Sequence, residues 1–179
     1  MKPVFFLVLT ILGIFGWRAA FGGDKETGPT VKESYPEPGA DGKVELTDAQ
    51  WQERLTPMEY KVLRKAGTER AFTGDFWDNK AEGVYTCGGC GQELFASGTK
   101  FKSGTGWPSY FAPVNDEAVG KHVDRSWGMT RTEVHCSRCG GHLGHVFPDG
   151  PEPTGLRYCI NGAALDFKAK DGAVIKSDK

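Results

Sequence analysis

Four of the five cysteines fall into two matching pairs, Cys87 and Cys90 in "CGGCG" and Cys136 and Cys139 in "CSRCGG". Each pair has two residues between its sulfurs and a glycine straight after the second. Thiolates at this spacing can serve one cation, because a tight turn aims both sulfurs the same way and the glycine can adopt a positive φ. Two such turns complete a tetrahedral all-sulfur shell. That shell suits zinc over iron and leaves no open coordination position, so the ion would be structural. Disulfides within the pairs would instead close very small rings and staple little chain. A redox dithiol belongs at the start of a helix after a strand, whereas both pairs run on into glycine and strand-like residues. The stretch from Cys90 to Cys136 exceeds ordinary ribbon spacing, which requires a subdomain inserted between the two turns.

With four sulfurs on a metal, Cys159 in "LRYCIN" has no cysteine left to pair with. Strand alternation puts Leu156, Tyr158 and Ile160 on one face and Arg157, Cys159 and Asn161 on the other. On that face the Arg157 guanidinium favours the thiolate, and the Asn161 amide can donate or accept beside it. The competing account is a buried structural cysteine. Upstream, "GGHLGHVFPDGPEPTG" carries His142 and His145 in a turn-rich stretch that can fold back as a hairpin onto "LRYCIN". An imidazole there could hold or deliver a proton near neutral pH, as a cysteine attacking a polar oxygen-bearing centre requires. Taken alone, each histidine would be a hydrogen-bonded turn residue or a metal ligand. In "KFKSGTGWPSYFAPV", Trp107, Tyr110 and Phe111 form either an aromatic wall suited to a polarizable sulfur-containing side chain or ordinary core.

These groups need a frame. The chain has 179 residues, 39% hydrophobic, enough for one domain with a substantial core. A formal charge of −1 shows no basic excess, which argues against nucleic-acid binding. The 25 glycines and 10 prolines, spread without a period, imply many turns between short strands. Thr47 with Gln50, and Thr56 with Glu59, have capping-box spacing, and the second adds Pro57 at the first helical position and Gly67 as a stop. Two short helices are therefore expected first. From Gly83 onward, "GVYTC", "ELFAS", "RTEVHC", "HVF" and "LRYCIN" alternate with turn residues and predict antiparallel strands. The closing "KAKDGAVIKSDK" reads as a polar tail, assigned to residues 169–179.

The beginning is a different material. "VFFLVLTILGIFGW", Val4 to Trp17, would rise about 21 Å as a helix, short of a hydrocarbon layer of about 30 Å. Residues 1–22 thus read as a signal peptide with small residues at Ala20 and Gly22, or as an uncleaved membrane anchor, given Arg18 just past the run. Either way the rest of the chain is expected outside the cytoplasm, periplasmic or secreted in the first case and membrane-anchored in the second. Residues 23–46 are charged, punctuated by proline and almost free of large aliphatics, the composition of a flexible linker.

From about Trp51 to Phe167, the ordered motifs "GTERAFTG", "GVYTCGGCGQELFAS", "KFKSGTGWPSYF" and "HCSRCGGHLGHVFPDGPEPTGLRYCIN" resemble B-type methionine sulfoxide reductases. The resemblance implies a mainly β catalytic domain over residues 47–168, with two antiparallel sheets, short N-terminal helices and a four-cysteine zinc site. It implies reduction of methionine-R-sulfoxide, in oxidised proteins or peptides, as protein repair under oxidative stress. It assigns Cys87, Cys90, Cys136 and Cys139 to zinc and Cys159 to the nucleophile. Trp107 would pack against the substrate methyl, His145 would assist at the sulfoxide oxygen, and Asn161 would support them; His142 and Arg157, from their places near Cys159 in the sequence, are expected as further substrate contacts. Many members carry a resolving cysteine two residues before the tryptophan, where this chain has Thr105. A thioredoxin-like protein or small thiol is then expected to reduce the enzyme directly. Gly162 and Ala164 also stand where serines are common in that family.

Overall fold

The computed structural model describes Met1 and residues 34–177. The targeting segment, apart from Met1, and the linker up to residue 33 lie outside the described residues. Among the described residues no helix is long and apolar enough to cross a membrane.

Among the described residues two helices come first, α1 (Asp48–Arg54) and α2 (Pro57–Lys65), and both start with a complete capping box. The Thr47 and Thr56 hydroxyls accept from the backbone N–H groups of Gln50 and Glu59, whose side chains reach back to the cap N–H groups, so otherwise orphaned donors are satisfied at each end. The stop comes one residue earlier than the expected Gly67. Ala66 takes the left-handed conformation (φ 51°), while Gly67 is needed for close approach, since a Cβ there would fall 2.8 Å from the Lys61 carbonyl oxygen. The buried face carries Trp51, Val62 and Leu63, and both Trp51 and Leu63 line the turn at Gly89 beside the Cys139 sulfur. The helices therefore back the four-cysteine region.

Nine strands follow among the described residues: β1 (Gly83–Cys87), β2 (Glu93–Ala96), β3 (Ser109–Tyr110), β4 (Val119–Asp124), β5 (Arg131–Cys136), β6 (His142–Phe147), β7 (Arg157–Ile160), β8 (Leu165–Ala169) and β9 (Val174–Ile175). They form two antiparallel sheets, one ordered β2-β1-β8-β9 and one ordered β3-β7-β6-β5-β4. The mainly β fold with two sheets and short N-terminal helices is the one expected. An aromatic core joins them, with Tyr110 stacked on Phe95 at 4.4 Å and in edge contact with Tyr85 at 5.2 Å. Tyr110 is fully buried and belongs to this core rather than to a pocket wall.

Two stretches expected to be loose carry contacts instead. Residues 34–46 of the linker cross the four-cysteine region: Val44 is buried and its N–H donates to Arg138 O at 3.0 Å, Lys43 Nζ reaches Ser137 O at 2.7 Å, and Tyr35 donates its hydroxyl to Asp166 at 2.6 Å. One aliphatic and one aromatic side chain suffice to anchor a segment whose overall composition reads as linker. The polar tail likewise contains β9, which pairs with β8, and beyond it Ser177 donates its N–H to Asp166 Oδ1 at 2.9 Å. Val174 and Ile175 are half exposed, so this strand is held by edge pairing more than by burial.

Candidate active site and metal centre

The two cysteine turns are built alike. Gly91 N–H donates to Cys87 O and Gly140 N–H to Cys136 O, at 2.8 and 2.9 Å, and the two glycines have φ of 71° and 68°. The four sulfurs lie within 4.8 Å of one another and are buried. Cys87 Sγ stands 3.7 Å from Cys139 Sγ, and Cys90 Sγ 3.6 Å from Cys136 Sγ. A disulfide would need about 2.05 Å. Sulfurs bound to one zinc ion at about 2.3 Å in a tetrahedron stand about 3.8 Å apart. The donor set thus fits a structural zinc. Crowding by the sulfurs of Cys136, Cys87 and Cys90, and then burial, push the Cys139 thiol far above its ordinary range, so four thiolates require a cation between them.

Cys159 lies elsewhere, on β7, and is half-buried. Register places it in one row across the five-stranded sheet: Ser109 on β3, Cys159 on β7, His145 on β6, Glu133 on β5 and His122 on β4 are successive cross-strand partners. Directly opposed residues share a face, with Cβ atoms about 5 Å apart. The hairpin expected from "GGHLGHVFPDGPEPTG" therefore delivers His145 to Cys159. Close strand contact here depends on Gly144, because a Cβ on it would fall 2.1 Å from the Cys159 carbonyl oxygen. A register shift at Leu143 also brings His142 and His145, three residues apart, into edge contact with ring centroids 5.6 Å apart.

His145 Nε2 lies 2.9 Å from Asp124 Oδ2, and Arg131 donates to the same oxygen at 2.7 Å. Bonds from the Ser126 backbone and hydroxyl, then from His145, hold the Asp124 carboxyl well below the usual carboxylate range. Burial pushes the His145 imidazole down, against the pull of Asp124. His142 is almost fully buried, with Nδ1 2.7 Å from Glu133 Oε1, and its Nε2 has no hydrogen-bond partner among the described residues. Glu133 also meets His122 Nε2 at 3.0 Å.

The thiol feels opposing influences. Burial pushes Cys159 above its ordinary value of 9.0, outweighing Thr105 and Arg157, which act the other way. Arg157 spends its fork on Asp149, with bonds of 2.9 and 2.8 Å, and lies 4.5 Å over the Phe147 ring. Thr105 Oγ1 lies 3.9 Å from Cys159 Sγ and belongs to a hydroxyl cluster with Ser103 and Ser109.

Asn161 does not continue the Cys159 face. β7 ends at Ile160, so Asn161 turns inward, donating Nδ2–H to Leu143 O at 2.9 Å and accepting at Oδ1 from Glu69 N–H at 3.1 Å. Glu69 is a site residue that sequence reasoning missed, although it sits in "GTERAFTG". Its carboxylate accepts from the N–H groups of Gly162 and Ala163, and its carbonyl accepts from Trp107 Nε1 at 3.3 Å. Asn161 and Glu69 thus tie the indole to the end of the strand that bears Cys159. Gly162 packs tightly in this turn, where a Cβ would fall 2.1 Å from Asp75 O, so the serine common in the family would need the Asp75 backbone to sit farther away. Trp107 itself is half-buried, next to Pro108, whose carbonyl accepts from Ile160 N–H at 3.0 Å. Asp124 was missed as well; its only sequence signal is an acid at a strand end.

The SelR domain matches residues 55–169. Three relatives from Thiobacillus denitrificans, Agrobacterium fabrum and Methanosarcina mazei, each named peptide methionine sulfoxide reductase MsrB, are 60%, 58% and 55% identical to this chain. The alignments cover 70%, 70% and 74% of this chain and 95%, 93% and 94% of the respective relatives.

Proposed function

The chain belongs to the SelR family and is a methionine sulfoxide reductase of the MsrB type, and we propose that it reduces the R epimer by transferring the sulfoxide oxygen to Cys159. The observation that carries this reading is the facing pair of Cys159 and His145 on neighbouring strands, in a chain whose other four cysteines are gathered in one cluster.

Burial leaves both partners neutral near pH 7: it lifts the thiol and lowers the imidazole. Asp124 as a carboxylate can only accept, so His145 Nε2 carries its proton toward Asp124 and Nδ1 is left as the acceptor. The thiol then brings the proton that the reaction needs. Cys159 Sγ attacks the sulfoxide sulfur while its proton passes through His145 Nδ1 to the sulfoxide oxygen. That attack bonds Sγ to the methionine sulfur and leaves a hydroxyl on it; the hydroxyl then passes to Sγ, and the bonds from the methionine sulfur to oxygen and to Sγ both break as the new S–O bond forms. Methionine sulfur gains two electrons, Cys159 loses two, and the thiol proton ends on the sulfenic acid. Trp107 faces the substrate methyl, held by the Glu69 carbonyl, and Asn161 positions that support. Cys87, Cys90, Cys136 and Cys139 would hold a zinc ion in a closed all-sulfur shell, where it would support the fold.

The return half uses an external thiol. It attacks the sulfenic sulfur, water leaves with the thiol proton, and a second thiol releases Cys159 from the mixed disulfide. Thr105, 3.9 Å from Cys159 Sγ, occupies the place from which a second sulfur could do this within the chain. The reductant is a thioredoxin-like protein or a small thiol. The composition of residues 1–22 supports an exported enzyme, acting on oxidised methionine in proteins of that compartment.

The test is turnover of blocked methionine-R-sulfoxide and its S epimer with dithiothreitol, followed by mass spectrometry of enzyme trapped after one turnover. The R epimer alone should react, leaving one oxygen or one thiol adduct on Cys159, and Cys159→Ser should abolish it. Equal turnover of both epimers, or a Cys159 left unmodified, would remove the proposal.

A further inference from the structure

Beside the site lies a second aromatic surface. Phe72 and Trp77 are 55% and 36% exposed and meet edge to face with ring centroids 5.3 Å apart. They line a cleft of about 510 Å³ that continues onto Trp107 and is edged by Lys80, Lys102 and Asp78. Water does not favour such exposure, and the backbone works to hold it. Phe72 sits at φ 64°, a left-handed conformation that disfavours a bulky side chain. Its N–H donates to Gly106 O at 2.9 Å, and its ring covers Gly106 so closely that a Cβ there would lie 2.7 Å from it. Lys100 Nζ donates to the carbonyls of Trp77 and Asn79, both at 3.0 Å, which clamps the opposite lip. Strain at one lip and a bridging amine at the other fix two exposed rings where packing alone would hide them.

Ser103 also lines this cleft and bonds Thr105, whose hydroxyl lies 3.9 Å from Cys159 Sγ, and Trp107, which the reductase reading sets against the substrate methyl, lines it too, so what fills the cleft is continuous with the methionine side chain. A single amino acid seated at Cys159 is too small to reach both; a polypeptide is not. Resting on the reductase reading above, we propose that the Phe72–Trp77 cleft is a subsite for an aromatic side chain flanking the oxidised methionine in an extended polypeptide. Edge-to-face contact with the two rings would select aromatic flanks over small ones. The lysine-rich edge would favour acidic residues beyond them.

The test compares kcat/KM for N-acetyl-methionine-R-sulfoxide amide with that for blocked peptides in which one Phe is moved through the three positions on either side of the sulfoxide, the rest being Gly and Ser. One Phe position should raise kcat/KM by about tenfold over the Gly–Ser peptide, mainly through KM. Trp77→Ala should collapse that ratio toward one. Flank-independent turnover in the native protein would overturn the proposal, and would give the cleft to a second copy if sedimentation shows a Trp77-dependent dimer. A ratio that survives Trp77→Ala would overturn it as well. Loss of turnover on every substrate by the native protein would strike the reductase reading instead, so the two failures are distinguishable.

Discussion

The same element is put to opposite uses in two parts of this fold. At the cysteine turns, four sulfurs are buried with each other as neighbours, 3.6 and 3.7 Å apart in pairs. At β7, one sulfur is only half-buried and faces an imidazole, a hydroxyl and a guanidinium. Turns with glycine after the second sulfur converge thiolates on a cation and consume their reactivity. A strand in mid-sheet keeps a single thiol apart from the others and presents it to cross-strand partners. Reactivity here follows from what surrounds the sulfur, since the residue type is constant.

The largest effect that should separate the two regions is on folding. Cys136→Ser, or removal of metal by a strong chelator, should cost the strand region its native state. Small all-sulfur zinc sites contribute on the order of 10 to 16 kcal/mol, as much as a domain's total stability of roughly 5 to 15 kcal/mol. α2 and the described part of the linker lean on the same turns and should loosen with them. Cys159→Ser should keep its near-ultraviolet circular dichroism and its zinc, and shift the thermal midpoint by no more than a few degrees. A chelated protein that keeps its native dichroism would break the contrast.

The next effect lies within the site. Asp124→Asn keeps an acceptor for Ser126 N–H but can present an amide N–H to His145, which then has to offer a lone pair where it now donates. With Nδ1 no longer the acceptor, kcat should fall about 100-fold while zinc content is kept, and the thermal midpoint should drop by a few degrees because Arg131 loses its carboxylate partner on the same oxygen. Unchanged kcat would detach His145 from the proton path.

How much of this was legible in the sequence differs between the regions. The cysteine turns were readable because their chemistry is local: spacing and a following glycine decide the geometry. The capping boxes were readable for the same reason. Around Cys159 the reading went as far as strand alternation goes. It correctly buried Tyr158 and Ile160 and failed at Asn161, where the strand stops and the side chain turns toward Leu143 and Glu69. Glu69 bonds Asn161, Gly162 and Ala163, each more than ninety positions away, and no local pattern encodes that. The net sign of the thiol shift was not legible: Arg157 lowers the thiol, as its place two residues away suggests, whereas Asp149, which occupies its fork, and the burial that outweighs it are tertiary facts. β9 was missed because an edge strand of two residues carries almost no pattern.

The smallest effect tests that sign directly. The Cys159 thiol is raised above its ordinary value of 9.0, chiefly by burial, so the native state keeps this proton at pH values where the unfolded chain has lost it. Stability from this group is therefore fully present below pH 9 and declines as pH rises from there through the native value. His145 acts at the other end. Burial lowers it from 6.5, so the unfolded state binds its proton first on acidification, and stability falls as pH drops below 6.5 toward the native value. The thiol reacts as thiolate, so iodoacetamide labelling of Cys159 without substrate should be slow at pH 7 and still be climbing at pH 9, about tenfold per pH unit. The same experiment on Cys159 in urea-unfolded protein should level off near the ordinary value. A native labelling curve that levels off below pH 8 would mean that Arg157 and Thr105 outweigh burial, and that the resting enzyme holds a thiolate with no proton of its own to give the sulfoxide oxygen.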